Sequence, residues 1–559
     1  MWKNSYKQWL TSPVFDETTK KELRAFEGND QEINDRFYKD LEFGTGGLRA
    51  IMGAGCNRLN KYTVRRITHG YGNFLLSEYG EEAKVRGVVI ARDMRYNSEE
   101  FALEVAKTLA ALGIKTYLFK EITTTPELSF AIPYLDAIGG VVITASHNPP
   151  KYNGYKIYDY TGCQATLVLA EKIIEEINKI TDYGRVMVSD ENSALINCLD
   201  DTVDTAFVGA VKSKMIHPEI IKQVGQDFKI LYTPLHGTGR KPIFRVLEEV
   251  GFKNIYTVEA QLIEDPEFST VKSPNPEEIA AFALALEAAK ANDVDLIMGT
   301  DPDCDRVGAL VKVEKEYISL NGNQLGSLLV YYLVTTNDKA KSMNHPYIVK
   351  TIVTSELGAE IARRYGVDVY DTLTGFKFIG EKINDIGDSG KFLIGYEESY
   401  GYLVGTHARD KDGVSSSLLI AEMAAFYYAQ GKTLIDILED IYKEFGYSRE
   451  ELISKTLKGQ DGIQKIKEMM AIFHSIPESK KSELGIVKVS DYLQKIDGLP
   501  KSDVLKFFFD DGSWVAIRPS GTEPKIKFYL GVVGRNTADT KKRMDKLKRF
   551  IQNYKKPMG

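Results

Sequence analysis

The sequence predicts an α/β protein: three similar α/β domains followed by a smaller C-terminal α+β domain. Three observations carry this. One plan, an apolar strand, a polar loop, an amphipathic helix closed by Gly and a second strand, recurs three times along the chain. Each copy runs on to a further apolar strand that ends in a polar, motif-like loop. From about Thr433 the pattern changes to charged helical stretches and then a strand hairpin.

The first copy is RGVVIARDMRYNSEEFALEVAKTLAALG followed by IKTYLF. The second is FKILYTPLHGTGRKPIFRVLEEVG followed by FKNIYTV, and the third is YIVKTIVTSELGAEIARRYG followed by VDVYDTL. Gly113, Gly251 and Gly366 supply the left-handed residue that closes each helix. Strand, helix and strand joined by short connections imply a right-handed parallel crossover. The loops that follow are GGVVITASHNPPKYNGYK, DVDLIMGTDPDCDRVG and KFLIGYEESYGY. Ligands in open α/β sheets bind beyond the carboxyl ends of strands, so three such loops can be aimed into one central cleft. The last segment, VLKFFFDDGSWVAIRPSGTEPKIKFYLGVV, reads as a hairpin turning at DDG, a loop at RPSGTEP and another strand. TADTKKRMDKLKRFIQNYKK then forms a basic amphipathic helix on the small sheet. Domain boundaries fall near 200, 320 and 435, giving 1–200, 201–320, 321–435 and 436–559.

Composition narrows the function. The chain has 559 residues, 43% hydrophobic and 27% charged, with a net charge of −6, ordinary globular values. The acidic balance argues against a nucleic-acid binder but leaves room for a local basic pocket. Four cysteines without a CxxC pair argue against a zinc or redox site and fit a reducing compartment. The N-terminal segment has no apolar signal region, and LGSLLVYYLV and SSLLIAEMAAFYYA are too short to span a bilayer. The expectation is a cytoplasmic protein without a membrane partner.

Four loops carry chemistry. In TASHNPP, Ser146 follows an apolar run at a strand end, a place for an exposed nucleophile. Neighbouring side chains in extended backbone point to opposite sides, which argues against a Ser146–His147 dyad and leaves His147 to shape the loop. Lys156 can return to the same site as a cation or base. In GTDPDCDRVG, Asp301, Asp303 and Asp305 alternate and face one way, a hard oxygen set suited to Mg²⁺ or Ca²⁺. An EF-hand is excluded, because Arg306 and Lys312 stand where it needs Gly and Glu. Arg306 is then a cation near a bound anion.

GYEESYGY offers Glu397, Glu398 and Ser399 to vicinal sugar hydroxyls. Before it, DTLTGFK puts Thr374, Gly375 and Lys377 at a strand-to-helix turn, and after it THARDKDG brings His407, Arg409 and Lys411 to the same strand end. In RPSGTEPK, Arg518 can grip a phosphate bidentately, Ser520 and Thr522 add hydroxyls, and Gly521 admits backbone N–H groups to the anion. FGTGGLR is not a Walker loop, and Arg49 is its one chemically informative side chain.

Taken together and in this order, the loops resemble the α-D-phosphohexomutase superfamily, most closely its phosphoglucomutase and phosphopentomutase-like branch. TASHNP is similar to the phosphoserine loop, DPDCD to the Mg²⁺ loop, YEESYG to the sugar loop and RPSGTEPK to the phosphate-binding loop. The resemblance implies three α/β domains with mixed sheets and a smaller domain with an antiparallel sheet, arranged around a central cleft. It implies that Ser146 carries the phosphoryl group, and that Asp301, Asp303 and Asp305 hold Mg²⁺ together with the seryl phosphate. Glu397 and Ser399 would hold sugar hydroxyls, and Arg518, Ser520, Gly521 and Thr522 the phosphate that is not reacting. Arg49, Lys156, Arg306, Thr374, Gly375 and Lys411 match positions near the reacting phosphate or the sugar, and His407 matches a family histidine approximately. The sugar loop lacks the GEMSGH form of the mannomutase-like branch, which disfavours mannose.

The implied reaction interconverts glucose 1-phosphate and glucose 6-phosphate through a phosphoserine enzyme and glucose 1,6-bisphosphate, in a monomer or weak oligomer. Phosphopentomutase and phosphomannomutase activities are the alternatives. Asp301 and Asp303 after an apolar strand also look like a phosphohydrolase nucleophile motif, but that reading leaves TASHNPP and RPSGTEPK unexplained. A non-catalytic sugar-phosphate binder would be expected to have lost Ser146 or one of the three Asp.

Overall fold

The unbroken apolar runs of the first repeat become strands because each is covered on both faces. In the computed structural model, which describes residues 2–44, 47–337, 344–457, 459–520 and 525–554, six strands form the first sheet. They are β1 (Leu48–Ile51), β2 (Val88–Arg92), β3 (Thr116–Leu118), β4 (Gly139–Ile143), β5 (Tyr152–Asp159) and β6 (Ile196–Cys198), in the order β1-β5-β4-β2-β3-β6. β4, β2, β3 and β6 run parallel, whereas β5 is antiparallel to both β4 and β1. Val88, Ile90, Val141 and Ile143 pack with Ile67 and Tyr71 of the helix Lys61–Tyr79 and with Phe101, Val105 and Leu109 of the helix Ser98–Ala111. Val89, Ala91 and Val142, pointing the other way, pack with Leu128 and Ile132 of the helix Thr125–Tyr134. Two-sided burial explains why these strands are apolar throughout instead of alternating.

The second repeat gives β7 (Lys229–Thr233), β8 (Asn254–Thr257), β9 (Leu296–Thr300), β10 (Val307–Val313) and β11 (Glu316–Leu320), in the order β11-β10-β9-β7-β8. β9, β7 and β8 are parallel, and β10 is antiparallel to its neighbours. The third repeat gives the parallel pair β12 (Pro346–Thr351) and β13 (Asp368–Thr372), then the antiparallel pair β14 (Lys391–Glu397) and β15 (Gly401–Val404). All three repeats thus end alike. A strand turns back on an antiparallel partner, and the hairpin between them (144–151, 301–306, 398–400) carries the motif. Gly113, Gly251 and Gly366 adopt positive φ at the helix ends, as their positions predict.

The chain divides into two compact units: Met1–Gly322 with Phe376–Thr433, and Asn323–Gly375 with Leu434–Gly559. The first unit also holds three short N-terminal helices, Trp2–Thr11, Glu17–Arg24 and Asp30–Phe37, that the sequence reading left unassigned. Trp9 stacks on Phe15 with centroids 4.0 Å apart, and Phe37 and Tyr62 pack edge-on around them. The second unit holds β12, β13 and an all-antiparallel sheet of β16 (Tyr447–Thr456), β17 (Ile486–Asp491), β18 (Leu505–Phe509), β19 (Trp514–Pro519) and β20 (Lys525–Gly534), ordered β16-β20-β19-β18-β17. The expected hairpin is β18–β19, and the basic helix Thr537–Tyr554 packs Leu547 and Phe550 into the core of this sheet.

Inside the second unit, Lys506 Nζ and Lys350 Nζ lie 2.9 and 3.2 Å from Glu356 Oε1, and Lys350 Nζ is 2.8 Å from Asp371. Burial opposes ionisation of Glu356, but the two ammonium groups pull its carboxyl down to about 2. Next to it, Ser355 Oγ donates to the Glu450 carboxylate. All four cysteines are free, and no helix among the described residues is long and apolar enough to cross a membrane.

Candidate active site

The hairpin after β4 places Ser146 almost fully buried, with φ +51. Its backbone N–H donates to Thr144 Oγ1 at 2.9 Å. This corrects the expectation that Ser146 and His147 point apart: Ser146 Oγ is 3.2 Å from His147 Nδ1. The alternation argument holds for extended backbone, and the left-handed conformation of Ser146 breaks it. His147 is nevertheless a poor base. Burial, with Arg306 and Arg49 nearby, lowers its pKa to about 3.

Ser146 Oγ donates instead to Asp301 Oδ2 at 2.6 Å. The hairpin after β9 thus meets the hairpin after β4, bringing together loops 155 positions apart in the chain. Asp301 Oδ1 accepts from the N–H groups of Asp305 and Arg306 at 3.1 and 3.0 Å, which curls the metal loop around its own first carboxylate. The three carboxyls are buried, with one ligand oxygen from each inside a 4.8 Å cluster. Burial, then the charges of Asp305 and Asp303, push Asp301 well above the usual carboxylate range. Burial also opposes ionisation of Asp303 and Asp305. Lys156 nonetheless holds Asp303 below its ordinary value, and Lys411 and Lys156 do so for Asp305. Asp303 Oδ1 and Asp305 Oδ1 are buried without a hydrogen-bond partner among the described residues. Buried acids with orphaned oxygens fit a small divalent cation, which would take up both the free lone pairs and the mutual repulsion.

Cations surround the acids. Lys156 Nζ lies 2.8 Å from Asp303 Oδ2 and 3.5 Å from Asp305 Oδ2, and Lys411 Nζ lies 3.1 Å from Asp305 Oδ2. Arg49, on β1, donates to Asn148 Oδ1 at 2.9 Å. Arg306 pairs with Glu277, which with Asp305 and Asp301 raises its pKa against the opposing effect of burial. Glu397, buried at the end of β14, feels the charges of Arg306 and Lys411. Ser399 is half-buried in the turn after it. The third hairpin also touches the metal loop through Val307 N–H donating to Tyr400 O at 3.1 Å.

His407 is held elsewhere. Its Nε2 lies 2.7 Å from Asp412 Oδ2, and Asp412 caps the helix Gly413–Tyr428. Thr374, Gly375, Arg518 and Ser520 belong to the second unit. Gly375 has φ +119 between β13 and the following helix, and Thr374 Oγ1 beside it is buried without a hydrogen-bond partner among the described residues. Arg518 lies on β19 opposite Lys527 of β20, and Ser520 N–H donates to Lys525 O at 2.7 Å. Gly521 and Thr522 lie outside the described residues, as do Thr45 and Gly46 of the FGTGGLR turn.

Several residues at the site escaped the sequence reading. Thr125 starts the helix Thr125–Tyr134 and donates both its N–H (3.0 Å, to Asp303 O) and its Oγ1 (3.1 Å, to Asp303 Oδ2). Thr238 donates its N–H and Oγ1 to Pro302 O at 2.9 and 3.0 Å, and Gly237 lies directly under Asp301 and Pro302. Glu277 partners Arg306. The turn sequences TTTPE and HGTGR were the available signals, since small hydroxyl and Gly residues at strand-to-helix turns favour close backbone approach.

Family comparison follows the chain domain by domain. The chain matches the models of phosphoglucomutase/phosphomannomutase α/β/α domain I over residues 40–184, domain II over 205–314, domain III over 321–445 and the C-terminal domain over 464–547. The chain belongs to the phosphoglucomutase/phosphomannomutase family. Within it, a phosphoglucomutase of Staphylococcus haemolyticus is 37% identical over 514 residues, covering 89% of this chain and 91% of that one. A Staphylococcus aureus phosphoglucomutase is 36% identical over 532 residues, covering 92% and 94%. Among solved structures, the open form of the Paramecium phosphoprotein pp63/parafusin, a phosphoglucomutase, shares the fold with a TM-score of 0.70 at 18% identity, covering 92% of this chain and 95% of that one. A phosphoglucomutase/phosphomannomutase family protein of Burkholderia thailandensis gives 0.68 at 16% identity, covering 92% and 97%. The family read from four motifs and the predicted fold class are both borne out.

Proposed function

We propose that the chain interconverts glucose 1-phosphate and glucose 6-phosphate, with Ser146 as phosphoryl carrier. The observation that carries this is the 2.6 Å contact between Ser146 Oγ and Asp301 Oδ2, inside a ring made by Lys156, Lys411, Arg306 and Arg49. Phosphoryl transfer is chiefly positioning and neutralisation of charge, and this ring supplies both. Phosphorylated Ser146 gives its phosphoryl group to the 6-hydroxyl of glucose 1-phosphate. The Oγ–P bond breaks, the O6–P bond forms, and the proton lost at O6 is balanced by one taken up at Oγ. Glucose 1,6-bisphosphate turns over, its 1-phosphate returns to Ser146 Oγ, and glucose 6-phosphate leaves.

Mg²⁺ held by Asp301, Asp303, Asp305 and the seryl phosphate would supply Lewis-acid stabilisation of the charge on the transferring group. Lys156, whose pKa the neighbouring acids raise despite burial, stays charged beside Asp303 and Asp305. Glu397 and Ser399 hold sugar hydroxyls. Thr374 and Gly375 stand near the reacting phosphate or the sugar, and Arg518, Ser520, Gly521 and Thr522 hold the phosphate that is not reacting. His407 is a loop anchor in this reading, since Asp412 occupies its Nε2. The enzyme works on free sugar phosphates in the cytoplasm, as a monomer or weak oligomer.

Ser146→Ala tests this directly. The variant is expected to lose essentially all turnover of glucose 1-phosphate and keep the wild-type melting temperature, and phosphopeptide mapping of the active wild-type enzyme is expected to find phosphate on Ser146. Full turnover by the alanine variant would end the proposal. Comparison of glucose, mannose and ribose 1-phosphates ranks the substrates, with glucose expected first.

A further inference from the structure

Arg95, in the loop after β2, is 3% exposed, and its guanidinium is spent on one task. Nη1 donates to Pro149 O at 3.1 Å and Tyr152 O at 3.0 Å. Nη2 donates to Asn148 O at 2.5 Å and to Ser146 O. Three carbonyls of the loop that carries Ser146 and that of Tyr152, the first residue of β5, thus converge on one planar cation. The cation is itself fixed. Asp93, fully buried, lies 3.3 Å from Nε through Oδ2, and its Oδ1 accepts from Arg95 N–H at 2.9 Å and from Ser98 Oγ at 2.7 Å. The ring of Phe268, from the second repeat, lies 4.9 Å from the guanidinium carbon.

Ser146 sits at φ +51, a conformation that a residue with a Cβ adopts at a cost and keeps only when its surroundings over-determine it. The clamp is what over-determines it. We propose that Arg95 is a positioning residue: by gathering the carbonyls of Ser146, Asn148, Pro149 and Tyr152 it fixes the left-handed turn that aims Ser146 Oγ at the metal loop. Only arginine suits the task. Its rigid fork presents donors in a plane, whereas a lysine offers three donors from one nitrogen. This rests on the reading of Ser146 as the phosphoryl carrier.

The test is Arg95→Lys, which keeps the buried charge and loses the fork. Turnover is measured per mole of phosphoserine, in both directions, together with the rate at which the phosphoenzyme loses phosphate to water. A displacement of about 1 Å at a reacting atom is worth about a hundredfold. The expected result is therefore a fall in kcat of roughly thirty- to a hundredfold, with KM for glucose 1-phosphate changed by less than about threefold, since no sugar contact is touched. Phosphate loss to water should rise relative to transfer. A purely structural role would lower the fraction of active enzyme but not kcat per phosphoserine, and that result, or an unchanged kcat, overturns the proposal. If Arg95→Lys does not fold, Asp93→Asn decides instead. It leaves the four carbonyl contacts, removes the negative charge 3.3 Å from Nε, and is expected to lower kcat per phosphoserine about fivefold, by the same dependence on aim; an unchanged kcat there also overturns the proposal. A wild-type enzyme with no phosphate on Ser146 would instead sink the reading of Ser146 itself.

Discussion

Arg518 and Lys156 are both cations assigned to phosphate, but their surroundings differ. Lys156 is buried against two carboxylates, whereas Arg518 is half-buried on β19 opposite another cation, Lys527. A guanidinium facing a like charge across a strand pair is poised for an anion. If Arg518 grips the phosphate that is not reacting, as proposed, Arg518→Ala removes a bidentate charge-assisted contact worth about 1.5–3 kcal/mol. At about 1.4 kcal/mol per factor of ten, kcat/KM is expected to fall roughly ten- to a hundredfold. The loss should appear from glucose 1-phosphate and from glucose 6-phosphate alike, because the bisphosphate presents either end to the same grip. Steady-state kinetics in both directions check this, and unchanged constants would refute it. Ser146 and the three Asp were legible in the sequence because one short segment holds each set. Arg95, Thr125 and Glu277 were not, because their partners lie far along the chain and a contact of that kind leaves no local pattern. His147 was placed on the wrong side of Ser146, since a single residue at positive φ is invisible to an alternation rule.

The elements that carry the site repeat one design, a strand, a motif-bearing hairpin and an antiparallel return strand. Hairpins alone do not hold the metal loop. It rests on the HGTG turn after β7, where Thr238 binds Pro302 O. A Cβ on Gly237 would stand 2.7 Å from Pro302 Cα and from Pro234 O, and 2.9 Å from Asp301 O, all of them backbone atoms. Gly237→Ala is therefore expected to cost about 1–3 kcal/mol of stability by overpacking. It should also weaken Mg²⁺ roughly tenfold by displacing Asp301, a loss of about 1.4 kcal/mol. Thermal melts and a Mg²⁺ titration of activity measure the two effects, and wild-type values in both would show that the turn yields. Strands buried on both faces, such as β2, β4 and β9, were legible as apolar runs. β16 and β17 were not. They mix exposed and half-buried positions with many charges, and in sequence they read like the helices beside them. The three N-terminal helices are short, and their cohesion comes from the aromatic cluster around Trp9, not from a long apolar stripe.

At the scale of the whole molecule, the fold class was legible from the threefold plan and the changed C-terminal pattern. The division into two units was not, because it cuts the third repeat between β13 and β14. The second unit carries a pH response of its own. Burial, with Glu356 nearby, pushes Glu450 up to about 7 despite the bond from Ser355. The native state therefore holds a proton that the unfolded chain releases near pH ~4.3. The associated stability is full below that pH and is lost as pH rises through about 7. The Glu450 side chain is partly exposed, which limits the effect to on the order of 1–2 kcal/mol. Glu450→Gln should flatten the decline, so the variant's advantage in melting temperature is larger at pH 8 than at pH 5. Parallel pH profiles for the two proteins would count against this. The interruption of the first unit also sets an order of events on the ribosome. The three acids are synthesised before residue 322, but Lys411, which balances Asp305, and Tyr400, which accepts from Val307, arrive only after 323–375 has been made. A nascent chain ending at 322 therefore holds a charge cluster short of one cation and one hairpin. Domains generally fold from the N-terminus as they emerge, so the first unit is begun early and closed late, and its metal loop matures only when the chain returns from the second unit.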